Sequence, residues 1–74
     1  MNKQEKINYI TSIIENSELA NNKMPTNEEF LSDISLIICQ FDADIAIGVM
    51  DKLEKRFGEI AKRQALSIKV NYGY

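Results

Sequence analysis

Apolar residues recur at helical spacing near the start of the chain. Ile7, Ile10 and Ile14 are separated by three and four residues, and the positions between them are mostly polar or charged. Asn2 precedes a glutamate by three residues, the spacing at which two side chains cap a helix start. The pattern predicts a helix over about residues 3–20 that packs through one narrow face and leaves its other faces in water.

A second segment is apolar around most of its circumference. It begins with Thr26 and Glu29, which have the spacing of a capping box, and it follows a proline-containing stretch, residues 21–25, that predicts a turn. The capping box favours a helix over about residues 27–41. The alternative is a buried strand over residues 34–41, because a short apolar run fits both structures. The apolar positions are Phe30, Leu31, Ile34, Leu36, Ile37, Ile38, Cys39 and Phe41.

A third segment places apolar residues in alternating steps of four and three, as in a coiled coil. The pattern predicts a helix over about residues 44–66 with charged side chains on its outside. Gly48 and Gly58 lie within this span, where a glycine either permits close approach of a neighbouring backbone or is simply tolerated. The residues of the apolar seam are Ala46, Met50, Leu53, Phe57 and Ile60.

The apolar stripes of the second and third segments do not continue one another. On one uninterrupted helix their centres would lie roughly 130° apart, at about 100° per residue. The chain is therefore expected to break over residues 42–44, where either Asp42 or Asp44 can cap the next helix. The break contains no glycine or proline, so a kinked continuous helix is the alternative.

Polar and apolar residues alternate over residues 67–74, a period that predicts an extended tail. Such a strand would pair with its copy in a second chain, add to a sheet edge of another protein, or fray. The predicted fold is therefore all-α, with three helices forming a small hairpin or bundle, followed by this tail.

The length of the chain bears on how this fold is stabilised. Seventy-four residues form one small domain, residues 1–74, whose lone core barely offsets the entropy of ordering the chain. A single cysteine excludes an internal disulfide, and the lack of histidine argues against a structural zinc site. We therefore expect homo-oligomerisation, most simply a dimer, to complete the fold. The residues expected at the interface are Phe30, Leu31, Ile34, Ile37, Ile38, Phe41, Met50, Leu53 and Phe57.

The residues that usually carry catalysis are scarce. Histidine, the common base at neutral pH, is absent, and Cys39 lies in an apolar stretch where burial would raise its pKa. Asp42 and Asp44 are better explained as helix caps than as cation ligands, because their neighbours supply no further side-chain oxygens. We expect no enzyme activity, no cofactor and no metal.

The formal net charge of −2 conceals two complementary halves. Residues 1–44 carry three basic and eight acidic side chains, whereas residues 45–74 carry six basic and three acidic ones. The basic side chains of the third segment either pair with neighbouring acids or form a face that binds phosphates. The candidate phosphate-binding residues are Lys52, Lys55, Arg56, Lys62 and Arg63.

These patterns favour a small non-enzymatic interaction protein, an inhibitor, adaptor or regulator. It would self-associate through its second helix and bind a larger protein. The alternative is a nucleic-acid or nucleotide binder that uses the basic face. The charged N-terminus and the lack of any apolar run near 20 residues predict a cytoplasmic protein without a membrane partner.

Overall fold

The computed structural model describes residues 1–17 and 27–73, and every regular element within them is α-helical. The predicted all-α class is confirmed, but the described residues form four helices rather than three. Residues 18–20, the turn predicted over 21–25 and the Thr26 cap lie outside the described residues. The helices are α1 (Lys3–Glu15), α2 (Asn27–Cys39), α3 (Ala43–Phe57) and α4 (Glu59–Asn71).

The start of α1 has the predicted cap. The Asn2 side chain accepts a hydrogen bond from the Glu5 amide at 2.8 Å and donates one to the Glu5 carboxylate at 2.9 Å. The first of these bonds satisfies a backbone amide that the first helical turn leaves without a partner, and the second joins the two side chains. The predicted face is also confirmed, since Ile7 and Ile14 are buried.

The predicted break between the second and third segments is confirmed. The amides of Phe41 and Asp42 both donate to the Ile38 carbonyl, which ends α2. Asp42 is extended, with φ −161° and ψ 111°, and its carboxylate accepts from the amides of Asp44 and Ile45. A non-helical residue whose side chain caps the next helix excludes the kinked continuous alternative.

The single helix predicted over residues 44–66 is wrong, because Gly58 divides it. Gly58 adopts φ 64° and ψ −137°, and its amide donates to the Glu54 carbonyl at 2.8 Å. This backbone conformation is nearly exclusive to glycine. The four-and-three spacing continues from Phe57 to Ile60 across the break, so periodicity alone does not reveal it.

The extended tail is also not found over residues 67–71, which belong to α4. Ala61, Ala65 and Ile68 are buried at steps of four and three, so the core selects the helical period. Val70, an apolar residue of the predicted strand, is 78% exposed and does not stabilise either structure by burial. The last residue, Tyr74, lies outside the described residues.

Helix α3 occupies the centre and packs against each of the other three helices, while α2 also packs against α4. Lys3 pairs with Asp44 near the start of α3, and Ile7 meets Gly48 one turn on, so α1 runs parallel to α3. The Phe30 ring lies 6.5 Å from that of Phe57, which makes α2 antiparallel to α3. Helices α1 and α2 are therefore antiparallel. The fully buried large side chains are Leu31, Val49, Met50 and Leu53.

Candidate interaction surface

An apolar groove of about 310 Å³ opens between α1 and α2 above the first turn of α3. The two helices flank α3 without packing closely on each other, which leaves this space uncovered. The accessible lining is apolar throughout. The lining residues are Ile10 of α1, Ile37, Ile38 and Phe41 in and just after α2, and Asp42 and Ile45 at the start of α3.

Large side chains around this groove are strongly exposed. Phe41 is 85% exposed and Ile37 is 57% exposed. Ile13, one turn after Ile10 on the same side of α1, is 52% exposed. Contiguous exposed apolar side chains of this size mark interaction sites in water-soluble folds. We call the apolar side chains that line or border the groove, whether exposed or partly or fully buried, the groove surface: Ile10, Ile13, Ile37, Ile38, Phe41 and Ile45.

The local sequence explains why Phe41 is not covered. Helix α2 turns Phe30, Leu31 and Ser35 inward, and it ends at Cys39. The cap at Asp42 then redirects the backbone into α3. Phe41 lies on the connection between these helices, where neither provides a packing face for its ring.

Electrostatics do not oppose burial of the groove surface. Asp42 is the one charged residue among the lining residues, and its carboxylate accepts two backbone amides and lies 3.7 Å from the Lys3 ammonium. A partner that covered the groove would bury a carboxylate of which one oxygen already accepts two hydrogen bonds and the other lies near a positive charge. Exposed charges flank the groove instead: Lys6 near the start of α1, and Asp33 one turn before Ile37.

The structure divides the predicted interface residues between the core and the surface. Phe30, Leu31, Met50 and Leu53 are buried within one chain, which leaves almost none of their surface accessible to a second chain. Ile34, Ile38 and Phe57 are partly buried against that core. Only Ile37 and Phe41 of the predicted set are strongly exposed. The reason is that α3 and α4 both pack on α2, so one chain covers most of the apolar circumference that was assigned to a partner.

Sequence reasoning missed the contributions of α1 and α3 to this surface. Ile10 was assigned to the buried stripe of α1, yet it is only partly buried and faces the groove. Ile13 could have indicated this surface, because it is an apolar residue at the edge of the narrow stripe predicted to be buried. Ile45 forms the floor of the groove, a role that depends on where the Asp42 cap starts α3.

The predicted basic residues lie on two helices, α3 and α4. Lys52 and Lys55 line a polar cleft between α1 and α3 that also contains the carboxylate of Glu15. The Arg56 guanidinium lies 5.7 Å from the centre of the Phe57 ring. Lys62 and Arg63 are exposed on α4, beyond the break at Gly58. Phosphate binding by these residues stays a prediction.

Cys39 lines a second groove, between α2 and α4, together with Leu36, Ile68 and Tyr72. The thiol is partly buried, and this burial raises its pKa above the ordinary value of 9.0. A raised pKa lowers the thiolate fraction at neutral pH, which disfavours a nucleophilic role.

Two further features concern only residues 1–17 and 27–73. Among them, no three potential metal-ligating side chains are grouped together. None of their helices has the length and apolar character needed to cross a membrane.

Comparison with known proteins found no matching family model, no matching curated sequence and no matching solved structure.

Proposed function

We propose that this chain is a small, non-enzymatic interaction protein of the cytoplasm that binds other proteins, including further copies of itself, through the groove surface. In this role it regulates, inhibits or bridges a larger protein partner. The observation that supports the proposal is the exposure of Phe41, 85%, beside a groove whose accessible lining is apolar.

Leaving this surface in water costs free energy that a partner can recover. Full burial of an aromatic or branched aliphatic side chain contributes roughly 1.5–3 kcal/mol relative to exposure. Most of the Phe41 side chain and about half of Ile37 and Ile13 are exposed, so a partner that buried them would gain a corresponding share of this free energy. Association must also offset lost translational freedom, so three such side chains per copy are consistent with a weak complex rather than a permanent one.

Sedimentation equilibrium at micromolar concentrations tests self-association. We expect the wild-type chain to form a species heavier than the monomer. Phe41→Ser should shift the population towards the monomer, because it removes the most exposed apolar side chain of the groove surface. Its matched control is Leu36→Ser, since Leu36 is 63% exposed on α2 but borders the other groove.

The results distinguish association through the groove surface from nonspecific apolar association. Equal loss of association in both variants would indicate nonspecific apolar contact and would contradict the proposal. A wild-type chain that stays monomeric up to about 100-fold above the micromolar range would remove self-association from it. Circular dichroism of each variant checks that the helices remain folded.

Binding to a larger protein has its own test with the same pair of variants. A partner should be retained by the wild-type chain and by Leu36→Ser, but lost with Phe41→Ser. Excess free wild-type chain should displace it, because both would occupy the groove surface. A bound protein that Phe41→Ser retains would use a different surface and would contradict this part of the proposal.

A further inference from the structure

We propose that the polar cleft between α1 and α3 binds a small phosphate ester that also carries free hydroxyl groups, as a sugar phosphate does. The cleft shares no lining residue with the groove surface, so the proposal goes beyond the proposed function and does not depend on it. Its volume is about 350 Å³, and sites for small ligands typically measure about 300–1,000 Å³. The lining residues are Asn8, Thr11, Ser12 and Glu15 of α1 and Lys52 and Lys55 of α3.

The Thr11 side chain is the observation that points to a ligand. Thr11 is 5% exposed and is the one buried residue of the lining, so it forms the floor of the cleft. Its Oγ1 atom is buried and has no hydrogen-bond partner within the described residues. A buried hydroxyl without a partner destabilises a fold, and nearly all buried polar groups are paired. A ligand oxygen that accepted from Thr11 would supply the missing partner.

Two lysines beside Thr11 supply the positive charge that selects an anion. Helices α1 and α3 are parallel, with Ile7 against Gly48. Thr11 and Lys52 each follow four residues later, so they lie at the same level, and Lys55 is one turn further on the same face of α3. Neither lysine forms an ion pair with any residue in 1–17 or 27–73. Their exposed, flexible side chains can therefore bind two oxygens of one phosphate group and make room for a third at Thr11.

The other side chains of the cleft favour hydroxyl groups next to the phosphate. Gln4 donates to the Asn8 Oδ1 atom at 3.2 Å, which leaves the Asn8 Nδ2 group as a donor for the ligand. The Glu15 carboxylate repels a bare phosphate ion, but it accepts hydrogen bonds from hydroxyl groups. Two lysines and one glutamate give the lining a net charge of +1, which still attracts an anion.

Further acidic residues near the cleft do not line it. Asp51 is one turn before Lys55 on α3 and forms no ion pair with it. Glu54 lies about 100–160° around α3 from the two lysines. Glu5 of α1 lies about 9 Å along the helix axis from Thr11. The charges closest to Thr11 are therefore those of the lining.

Titration followed by NMR chemical shifts tests the ligand class with ribose 5-phosphate, ribose and inorganic phosphate. We expect ribose 5-phosphate to bind with a dissociation constant of roughly 0.1–1 mM, because the lysines are exposed. Inorganic phosphate should bind about ten-fold more weakly, because it lacks sugar hydroxyl groups for Glu15, and ribose should not bind. Equal affinity for phosphate and its ester, or no binding of the ester, would overturn the proposal. A short RNA that bound where ribose 5-phosphate did not would also overturn it.

Variants of Lys52 and Thr11 test the site itself. Lys52→Gln should weaken ribose 5-phosphate binding about ten-fold, whereas Lys69→Gln, an equal change of net charge on α4, should leave it unchanged. Thr11→Val should weaken binding about two- to ten-fold and yet raise the urea midpoint of the free chain, because it removes the unpaired hydroxyl. Thr11→Ser keeps the hydroxyl and should retain the affinity. Equal losses in the two lysine variants would contradict the site. Unchanged affinity or a lower urea midpoint for Thr11→Val would overturn the role of its hydroxyl and the proposal with it.

Discussion

Gly48 shows how one residue sets the distance between two helices. A Cβ atom placed there would approach the Ile7 Cγ1 atom to 3.0 Å and would overlap the Ile7 Cδ1 atom. The sequence left open whether this glycine permits the close approach of a backbone or is simply tolerated, and in the structure it is a side chain of α1 that approaches. Ile7 is buried, so it has little freedom to move aside.

Gly48→Ala is therefore expected to lower the free energy of unfolding by about 1 kcal/mol. Overpacking costs typically 1–3 kcal/mol, and the better helix propensity of alanine offsets about 1 kcal/mol of that. Urea denaturation measures the difference. In an Ile7→Val background, which lacks the Cδ1 atom, the same substitution should be close to neutral. An equal cost in both backgrounds would show that contact with Ile7 is not the cause.

At Gly58 the backbone conformation, and not a lack of space, requires glycine. A Cβ at this position meets nothing within 4 Å, but φ is +64°. Gly58→Ala should lower the unfolding free energy by about 1–3 kcal/mol, the usual cost of a residue in such a region. Gly73 also has positive φ, yet it follows the last helix. Gly73→Ala is thus the matched control and should change the urea midpoint little.

The Cys39 thiol gives a pH dependence of known sign. Burial raises its pKa above 9.0 in the folded chain, so the folded chain holds this proton more tightly than the unfolded chain does. Its contribution to stability is complete below pH 9 and is lost as the pH rises through the folded pKa. The urea midpoint of the wild-type chain should fall relative to that of Cys39→Ser between pH 8 and pH 10.5. A constant difference would contradict this linkage.

At the scale of the helix, the start of α3 depends on a single side chain. The Asp42 carboxylate accepts from the amides of Asp44 and Ile45 and also lies near Lys3. Asp42→Ala should lower the unfolding free energy by about 0.5–2 kcal/mol through loss of the cap. Asp42→Asn should restore most of it, because asparagine caps helices well without a charge.

Lys3→Ala separates the cap from the ion pair. Lys3 lies 3.0 Å from Asp44 and 3.7 Å from Asp42, but the lysine side chain is about half exposed and both aspartates are partly exposed. Exposed ion pairs contribute about 0–1 kcal/mol, so this variant should cost less than Asp42→Ala in the same urea experiment. If Lys3→Ala and Asp42→Asn were each as costly as Asp42→Ala, the ion pair would be the main contribution.

The two helix breaks differ in how visible they are in the sequence. The break before α3 changes the phase of the apolar stripe and contains a capping residue, Asp42, so it was predictable. The break at Gly58 preserves the spacing from Phe57 to Ile60, so only the backbone conformation reveals it. A glycine inside an apparent helix is compatible with both outcomes, because its small side chain fits either.

At the scale of the whole molecule, self-association predicts a melting temperature that depends on protein concentration. A dimer that dissociates on unfolding gains about 0.7 kcal/mol per chain for each ten-fold rise in concentration. For a domain of this size, the gain raises the melting temperature by about 3–5 °C for each ten-fold rise, at concentrations above the dissociation constant. Thermal melts of Phe41→Ser should show no such dependence. A concentration-independent wild-type melt would contradict association of the folded chain.

Half of the candidate surface was predictable. Ile37, Ile38 and Phe41 were named from the apolar excess of α2, and Ile37 and Phe41 are strongly exposed. Leu31, Met50 and Leu53 were assigned to the same interface but are fully buried within the chain. Apolar periodicity indicates that a side chain seeks burial, and it does not indicate whether the neighbour belongs to the same chain.

The sequence by itself determined the helical class, the reciprocal cap at Asn2 and the break at Asp42, because capping and periodicity act between residues close in the chain. Only the tertiary structure decided the fourth helix and the path of residues 67–71, since Ile68 is held by contacts with distant segments. It alone decided that α1 and α2 stand apart on α3 and leave Phe41 beside an open groove. Such separations depend on how four helices share one small core, which no local pattern specifies.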